Sequence, residues 1–304
     1  LHKWLVAMCP INKVKINIMK KLSEYTKDKN LNQIMDEIVE KEMDKTFNEG
    51  IDFDPVTKTV AYNSSHENYV DISIDNNPTI DGEIVPGVQV WSIFKRKKGE
   101  TQEDGNPLVY ALKGEGWTFR SEEDRLAIEK QFNDIATKFA QIYPIRVTII
   151  IPSGNELNYH IAEMVMSKSK NAELLEGAIC KLTTEEVNEI VLAKDSFFRQ
   201  KYKNNFNAAY KQLCVYFEEM DEKRDGTFSR HFIKDSKMRN VLLNTLKVSP
   251  DRYAKDSKII NGQDILIIDD TISRGQSIKE ACQIMLESYA PKSITVLTLS
   301  SKLN

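Results

Sequence analysis

Two unbroken aliphatic runs, Val147-Thr148-Ile149-Ile150-Ile151 and Ile265-Leu266-Ile267-Ile268, constrain the fold of this chain more than any other feature. A strand with one wet face alternates apolar and polar residues, whereas a strand covered on both faces is aliphatic throughout. Each run leads into a turn of small residues, PSGNELN or TISRGQS, and then into a helical pattern, IAEMVMSKSK or IKEACQIMLESYA. The segment SITVLTLS adds a closing strand. Strand, turn and helix in repeated order predict a parallel sheet with helices on both faces, hence an α/β fold. Neither run approaches the roughly 18 residues needed to cross a bilayer, so no membrane span is expected.

The first half of the chain differs in character. Residues 20–48 carry a modest apolar stripe, Leu22, Ile34, Ile38 and Met43, and predict one or two surface helices. IDFDPVTKTVAY and YVDISID alternate apolar and polar residues and predict half-buried strands joined by the turn NSSHEN. Val88–Phe94 and Pro107–Lys113 predict a further strand pair around the polar loop KRKKGETQEDGN, giving an antiparallel N-terminal sheet. Ser121, with Asp124 three residues on and Leu126, Ile128, Phe132, Ile135 and Phe139 at helical spacing, predicts a capped amphipathic helix. This reading divides the chain into an α+β accessory region, 1–142, and an α/β domain, 143–304. Met19 is a candidate start, with residues 1–18 as an extension.

With 41% hydrophobic and 29% charged residues, the 304-residue chain is able to bury a core and is not of disordered composition. Its 42 basic and 45 acidic side chains give a net charge of -3, so no global field draws it to nucleic acid or an anionic membrane. Neither is an expected partner; a homodimer is left open. Cys9, Cys180, Cys214 and Cys282 are scattered without ligand spacing, which predicts free thiols in a reducing cytoplasm rather than zinc or a disulfide framework. Thr183 with Glu186 predicts a capping box for TTEEVNEIVL, and FNAAYKQLCVYFEEM reads as a helix. The charged stretch DEKRDGTFSRHFIKDSKMRN that follows reads as a mobile loop beside the site or a solvated connector.

The chemistry concentrates after the second aliphatic run. Asp269 and Asp270 fall at the carboxyl end of their strand, where ligands bind in open α/β sheets. Thr271, Ser273, Arg274, Gly275, Gln276 and Ser277 then lead into a helix for which Ser277 and Glu280 predict a capping box. A loop wrapped onto a helix start offers unpaired amides and positive potential to a phosphate. The adjacent carboxylates suit ribose hydroxyls, or magnesium through water. Acids capping a strand, or a receiver-like acidic pocket, are the alternatives on residues alone; neither requires the glycine-containing loop.

The segment ILIIDDTISRGQSI resembles the phosphoribosyl pyrophosphate (PRPP) signature of type I phosphoribosyltransferases: four aliphatics, an acidic pair, two further positions, then small residues around a glycine. Thr271 and Arg274 depart from the commonest form of that signature. The resemblance implies a Rossmann-like parallel sheet and a cofactor Mg2+. It further implies that Asp269 and Asp270 hold the ribose hydroxyls, directly or with Mg2+, and that Thr271 and Ser273 to Ser277 cradle the 5′-phosphate. Pro152, Ser153, Gly154 and Asn155 resemble the family's diphosphate loop, and Arg239 or Lys237, upstream of the signature, would approach the same diphosphate. His160, inside the next helix, reads as surface or packing. Lys302, just past the closing strand, resembles a purine-contacting lysine. The chain as given stops there without the C-terminal hood of purine-specific members, so any hood would come from the N-terminal region, where Trp91, Phe94, Tyr110, Trp117 and Phe119 either supply a stacking surface or, as the favoured reading, form the aromatic core of the small sheet. The resemblance covers about half the chain.

These readings imply transfer of the phosphoribosyl group of PRPP to a nitrogenous base or amine, with release of diphosphate. The alternative is a non-catalytic PRPP or nucleotide sensor with an N-terminal interaction domain; an effector acting on nucleotide pools is a third possibility.

Overall fold

The computed structural model describes residues 48–97, 106–272 and 275–301. In chain order the elements are β1 (Gly50–Asp54), β2 (Thr59–Asn63), β3 (Val70–Asp71), β4 (Thr79–Val85), β5 (Val88–Arg96), α1 (Asn106–Lys113), β6 (Thr118–Phe119), α2 (Glu122–Ile142), β7 (Val147–Ile150) and α3 (Leu157–Met166). Then follow β8 (Glu173–Leu174), β9 (Ile179–Lys181), α4 (Thr184–Leu192), α5 (Phe197–Lys201), α6 (Phe206–Arg224), α7 (Ser236–Val241), β10 (Leu246–Val248), α8 (Tyr253–Ile260), β11 (Asp264–Ile272), α9 (Gln276–Ser288) and β12 (Ser293–Ser301). Among the described residues no helix is long and apolar enough to cross a membrane.

The main sheet has seven strands in the order β3-β5-β12-β11-β7-β8, with β4 also paired to β5. β5, β12, β11, β7 and β8 run parallel, while β3 and β4 lie antiparallel to β5. Every residue of β7 is buried, and Ile265 to Ile268 of β11 are 0% exposed, which explains why these strands lack polar alternation. One face is covered by α1, α2 and α3, which pack Leu108, Phe132, Phe139 and Ile161 onto Ile150, Leu266, Ile268 and Leu297. The other face is covered by α9, whose Ile278, Ala281, Cys282 and Met285 meet Ile149, Ile265, Ile267 and Val296. Ser121 caps α2 by accepting from the Asp124 amide at 3.1 Å, and three acids occupy its first turn, where they oppose the helix dipole.

Two expectations are corrected here. The sheet runs across residue 143: β5 pairs in parallel with β12, from Gln89 opposite Thr295 to Phe94 opposite Ser300, so β3, β4 and β5 belong to the main sheet, while β1 and β2 do pair antiparallel in a separate sheet that β6 extends in parallel. Pro107–Lys113 is not a strand partner of β5 but belongs to α1, which buries Leu108, Val109 and Ala111 on one side. Pro107 sits in its first turn, where the missing N–H costs nothing.

A third core lies between β9 and β10. These strands pair antiparallel and form a neck through which residues 182–245 leave and rejoin the main body. Leu182, Val187, Phe198, Leu213, Phe217, Met220, Phe228, Ile233, Met238 and Val241 form its interior. The Thr183–Glu186 capping box is present, with Glu186 N donating to Thr183 Oγ1 at 3.1 Å and Thr183 N to Glu186 Oε2 at 2.8 Å. The charged stretch after α6 is therefore not a mobile loop. Phe228, Ile233 and Met238 anchor it, and it holds a 3₁₀ turn at Arg230–Phe232 and the short α7. Residues 1–47, including the expected helices from Lys20, lie outside the described residues.

Candidate functional site

β7 leads through α3 to β8 on one side of the sheet, and β11 leads through α9 to β12 on the other. The strand order thus reverses between β7 and β11, and a crevice opens at their carboxyl ends where the two crossovers diverge. Both expected loops emerge there, because Ile268 and Ile150 are register partners. Ser153, Gly154, Asn155, Asp269, Asp270, Thr271 and Ser277 all line one cavity of about 590 Å³, within the range of small-molecule sites. A second lobe of about 530 Å³ shares Asp269, Thr271 and Ser277 and adds Gly275, Gln276 and Arg239. Arg239 lines the lobe of Gly275 to Ser277 and is not among the residues lining the lobe of Ser153 to Asn155. Lys237 is on neither wall. Ser273, Arg274 and Lys302 lie outside the described residues.

The two carboxylates differ. Asp270 is bound within the protein: its Oδ2 pairs with Lys113 Nζ at 2.5 Å and takes Asn155 Nδ2 at 3.4 Å, while Oδ1 accepts from Thr271 Oγ1 at 3.0 Å. Asp269 Oδ1 accepts the amide of Asp270 at 3.0 Å, and its side chain reaches both lobes. Burial, followed by repulsion from Asp270, pushes the Asp269 carboxyl well above the usual carboxylate range, against the pull of the Asp270 amide, Asn158 and Lys113.

Gly275 precedes α9 at φ +70°, a left-handed conformation, and a Cβ there would lie 2.8 Å from Ile84 Cδ1. Gly275 caps α9 without a side-chain acceptor, so the helix start is open to an anion. The capping box expected from Ser277 and Glu280 does not form. α9 begins two residues earlier than that pattern requires, at Gln276 rather than Ile278, which places Ser277 inside the helix. Glu280 is 2% exposed and turns instead to Arg230, Asn244 and Thr245.

The sequence reading missed most of the cations in the cleft. Lys113 comes from α1, Lys181 from β9, Arg224 from the end of α6 and Arg96 from β5, and all line the larger lobe. No motif connects them, since they are brought together by strand pairing and by the insert. Arg224, Arg230 and Arg239 fall within the charged stretch, and of these Arg239 alone was a named candidate. Burial, then repulsion from Arg224, lowers the Lys181 ammonium below its usual value despite attraction by Asp269 and Asp270. Arg224 Nη2 sits 2.6 Å from where a Cβ of residue 154 would project, so glycine at 154 lets the guanidinium lie on the loop.

Of the five aromatics read as core or hood, four are core. Phe94 is 0% exposed in the core, and Trp91, Trp117 and Phe119 pack against that core. Tyr110 alone of the five lines the cleft, where Phe228 and Phe232 of the insert complete the aromatic lining. His160 is exposed on α3, edge-on to Phe132 at 5.8 Å and away from the cleft.

Among the described residues no group of three or more His, Cys, Asp and Glu side chains could hold a metal ion. Asp269 and Asp270 supply only two carboxylates, one already paired with a lysine. A six-coordinate hard cation would then draw most of its oxygens from ligand phosphate and water, so the residues fit Mg2+ carried by a phosphorylated ligand. No protein-family model matches the chain, and no curated protein matches it in sequence.

Proposed function

We propose that this chain binds PRPP with Mg2+ and transfers the phosphoribosyl group to a nitrogenous base or amine, as a phosphoribosyltransferase of the type I kind. The observation that carries this reading is the meeting, at the strand-order reversal, of the turn Ser153 to Asn155, the end of β11 at Asp269 to Thr271 and the start of α9 at Gly275 to Ser277, in a cleft lined by Lys113, Lys181, Arg224, Arg230 and Arg239. A ligand there must carry several negative charges and hydroxyl donors, and PRPP has both.

In this reading the amides at the start of α9 take the 5′-phosphate, and Asp269, the carboxylate that spans both lobes, accepts from a ribose hydroxyl. Lys181 and Arg224, beside the Ser153–Asn155 turn, stabilise diphosphate as the bond at C1 breaks and charge moves onto it. Bound Mg2+ would neutralise diphosphate and make it a better leaving group. Insert residues Phe228 to Phe232 form one wall of the cleft and would limit water near the electron-deficient C1, while Tyr110 and Phe232 offer ring surface to an acceptor.

Diphosphate release from Mg-PRPP, measured across a panel of purines, pyrimidines and amines, tests the reaction. Release with at least one acceptor, lost in Asp269→Asn, is the expected result; no Mg-PRPP binding to the unaltered protein would refute the reading. The engagement of Asp270 with Lys113, Thr271 and Asn155 favours a second reading, a sensor that binds PRPP without turnover. Tight binding with no release for any acceptor selects it.

A further inference from the structure

We propose that buried Glu280 is a positioning residue that couples anion binding at the start of α9 to the helical insert, acting through Arg230. The inference rests on the reading that this helix start receives a phosphate. Its side chain is 1% exposed, yet it makes one of the most heavily populated polar contacts in the molecule. It accepts from Arg230 Nη2, from the Asn244 amide at 2.9 Å, from the Thr245 amide at 3.0 Å and hydroxyl at 3.2 Å, and from Gln276 Nε2 at 3.2 Å. A carboxylate so far from water persists only where its lone pairs are filled, and these donors fill them.

The donors come from two places that must stay in register: the first turn of α9, and the insert at residues 230 and 244–245. Arg230 is fixed further by Nε donating to Leu242 O at 3.1 Å. Its Nη1 is left 3.5 Å from Ser277 Oγ, at the contact between the two lobes of the cleft. An anion on the first turn of α9 meets that guanidinium edge and ties helix to insert a second time. By linkage, whatever closes the insert then tightens the anion, and the anion closes the insert. Glutamine at 280 cannot replace the carboxylate, because its NH2 would face either the Asn244 amide and Arg230 or the Thr245 amide, donor against donor in each flip.

Hydrogen exchange of the full chain, with and without Mg-PRPP and separately with inorganic phosphate, tests the coupling in the unaltered protein, Arg230→Met and Glu280→Gln. The expected result is slower exchange across residues 228–245 when the unaltered protein binds ligand. Arg230→Met should bind about tenfold more weakly, keep ligand-dependent slowing within α9, and lose it in the insert. Glu280→Gln should behave likewise; if it does not fold, Arg230→Met decides alone. Slowing in the insert of Arg230→Met equal to that of the unaltered protein overturns the proposal. Slowing with phosphate but not PRPP supports the coupling and rejects the PRPP reading. Calorimetric binding of PRPP without slowing in the insert rejects the coupling and leaves that reading intact. Binding of neither ligand overturns both.

Discussion

Lys113→Met keeps the length of the side chain and removes its charge, leaving Asp270 without its cation. The two groups are 2.5 Å apart, with side chains 12% and 14% exposed, so neither is well solvated. Removing one partner of a buried pair costs about 3–5 kcal/mol, most of it the penalty of the stranded charge. Asp270 retains the hydroxyl of Thr271 and the amide of Asn155, each worth about 1 kcal/mol at most at these distances. The net loss expected is therefore about 1–3 kcal/mol. Lys113→Met with Asp270→Asn strands no charge and should recover to within about 1 kcal/mol of the unaltered protein. Urea denaturation of the four proteins at neutral pH closes the cycle, and a coupling of about 2 kcal/mol is expected. If Lys113→Met unfolds within about 0.5 kcal/mol of the unaltered protein, or the two changes simply add, the ion pair is not a structural link and the account of Asp270 as the bound acid is wrong.

Gly154→Ala places a methyl against Arg224 Nη2, the free end of a flexible side chain, so stability should change by less than about 0.5 kcal/mol while Mg-PRPP affinity drops about tenfold; calorimetry showing unchanged affinity would remove Arg224 from the site. Asp269, raised to about 7 from an ordinary 3.8, keeps its proton in the folded state over a range where the unfolded chain has released it. Stability should consequently decline as pH rises through that window, and Asp269→Asn should not share the decline. Melting temperatures of the two proteins should diverge from pH 4 towards pH 7 and stay apart above it, and parallel curves would show that the carboxyl is not perturbed by folding.

The elements legible in the sequence were those specified by neighbours along the chain. β7 and the Ile265–Ile268 segment of β11 are almost wholly aliphatic, and Ser121 with Asp124 and Thr183 with Glu186 carry their caps within four residues. The turn at Ser153–Asn155 followed, since it leaves a legible strand, but β11 runs four residues past Ile268, through Asp269 and Asp270 to Ile272, because Thr271 and Ile272 pair with Ser300 and Ser301 of β12. What escaped notice depends on distant pairing. Val88–Arg96 alternates well enough to suit an antiparallel hairpin, and nothing local says that its partner is β12, some 200 residues on. Asn106–Lys113 is too short for its period to separate helix from strand, although the proline in its first turn was a signal. Ser277-x-x-Glu280 has the spacing of a capping box, but a glycine at positive φ starts the helix earlier and releases the glutamate for a distant arginine. The cations followed the same rule: Lys113, Lys181 and Arg224 are close in space only because three separate elements end at one crevice.

The parallel pairing of β5 with β12 makes the two ends of the described chain mutually dependent. A fragment cut in the connection between α2 and β7 would leave β12 as an unguarded border, its amides and carbonyls from Thr295 to Ser300 open to any passing strand, and would strip the aliphatic underside of α1 and α2. Such a fragment should self-associate when expressed alone and regain its monodisperse form when residues 48–142 are supplied as a separate polypeptide.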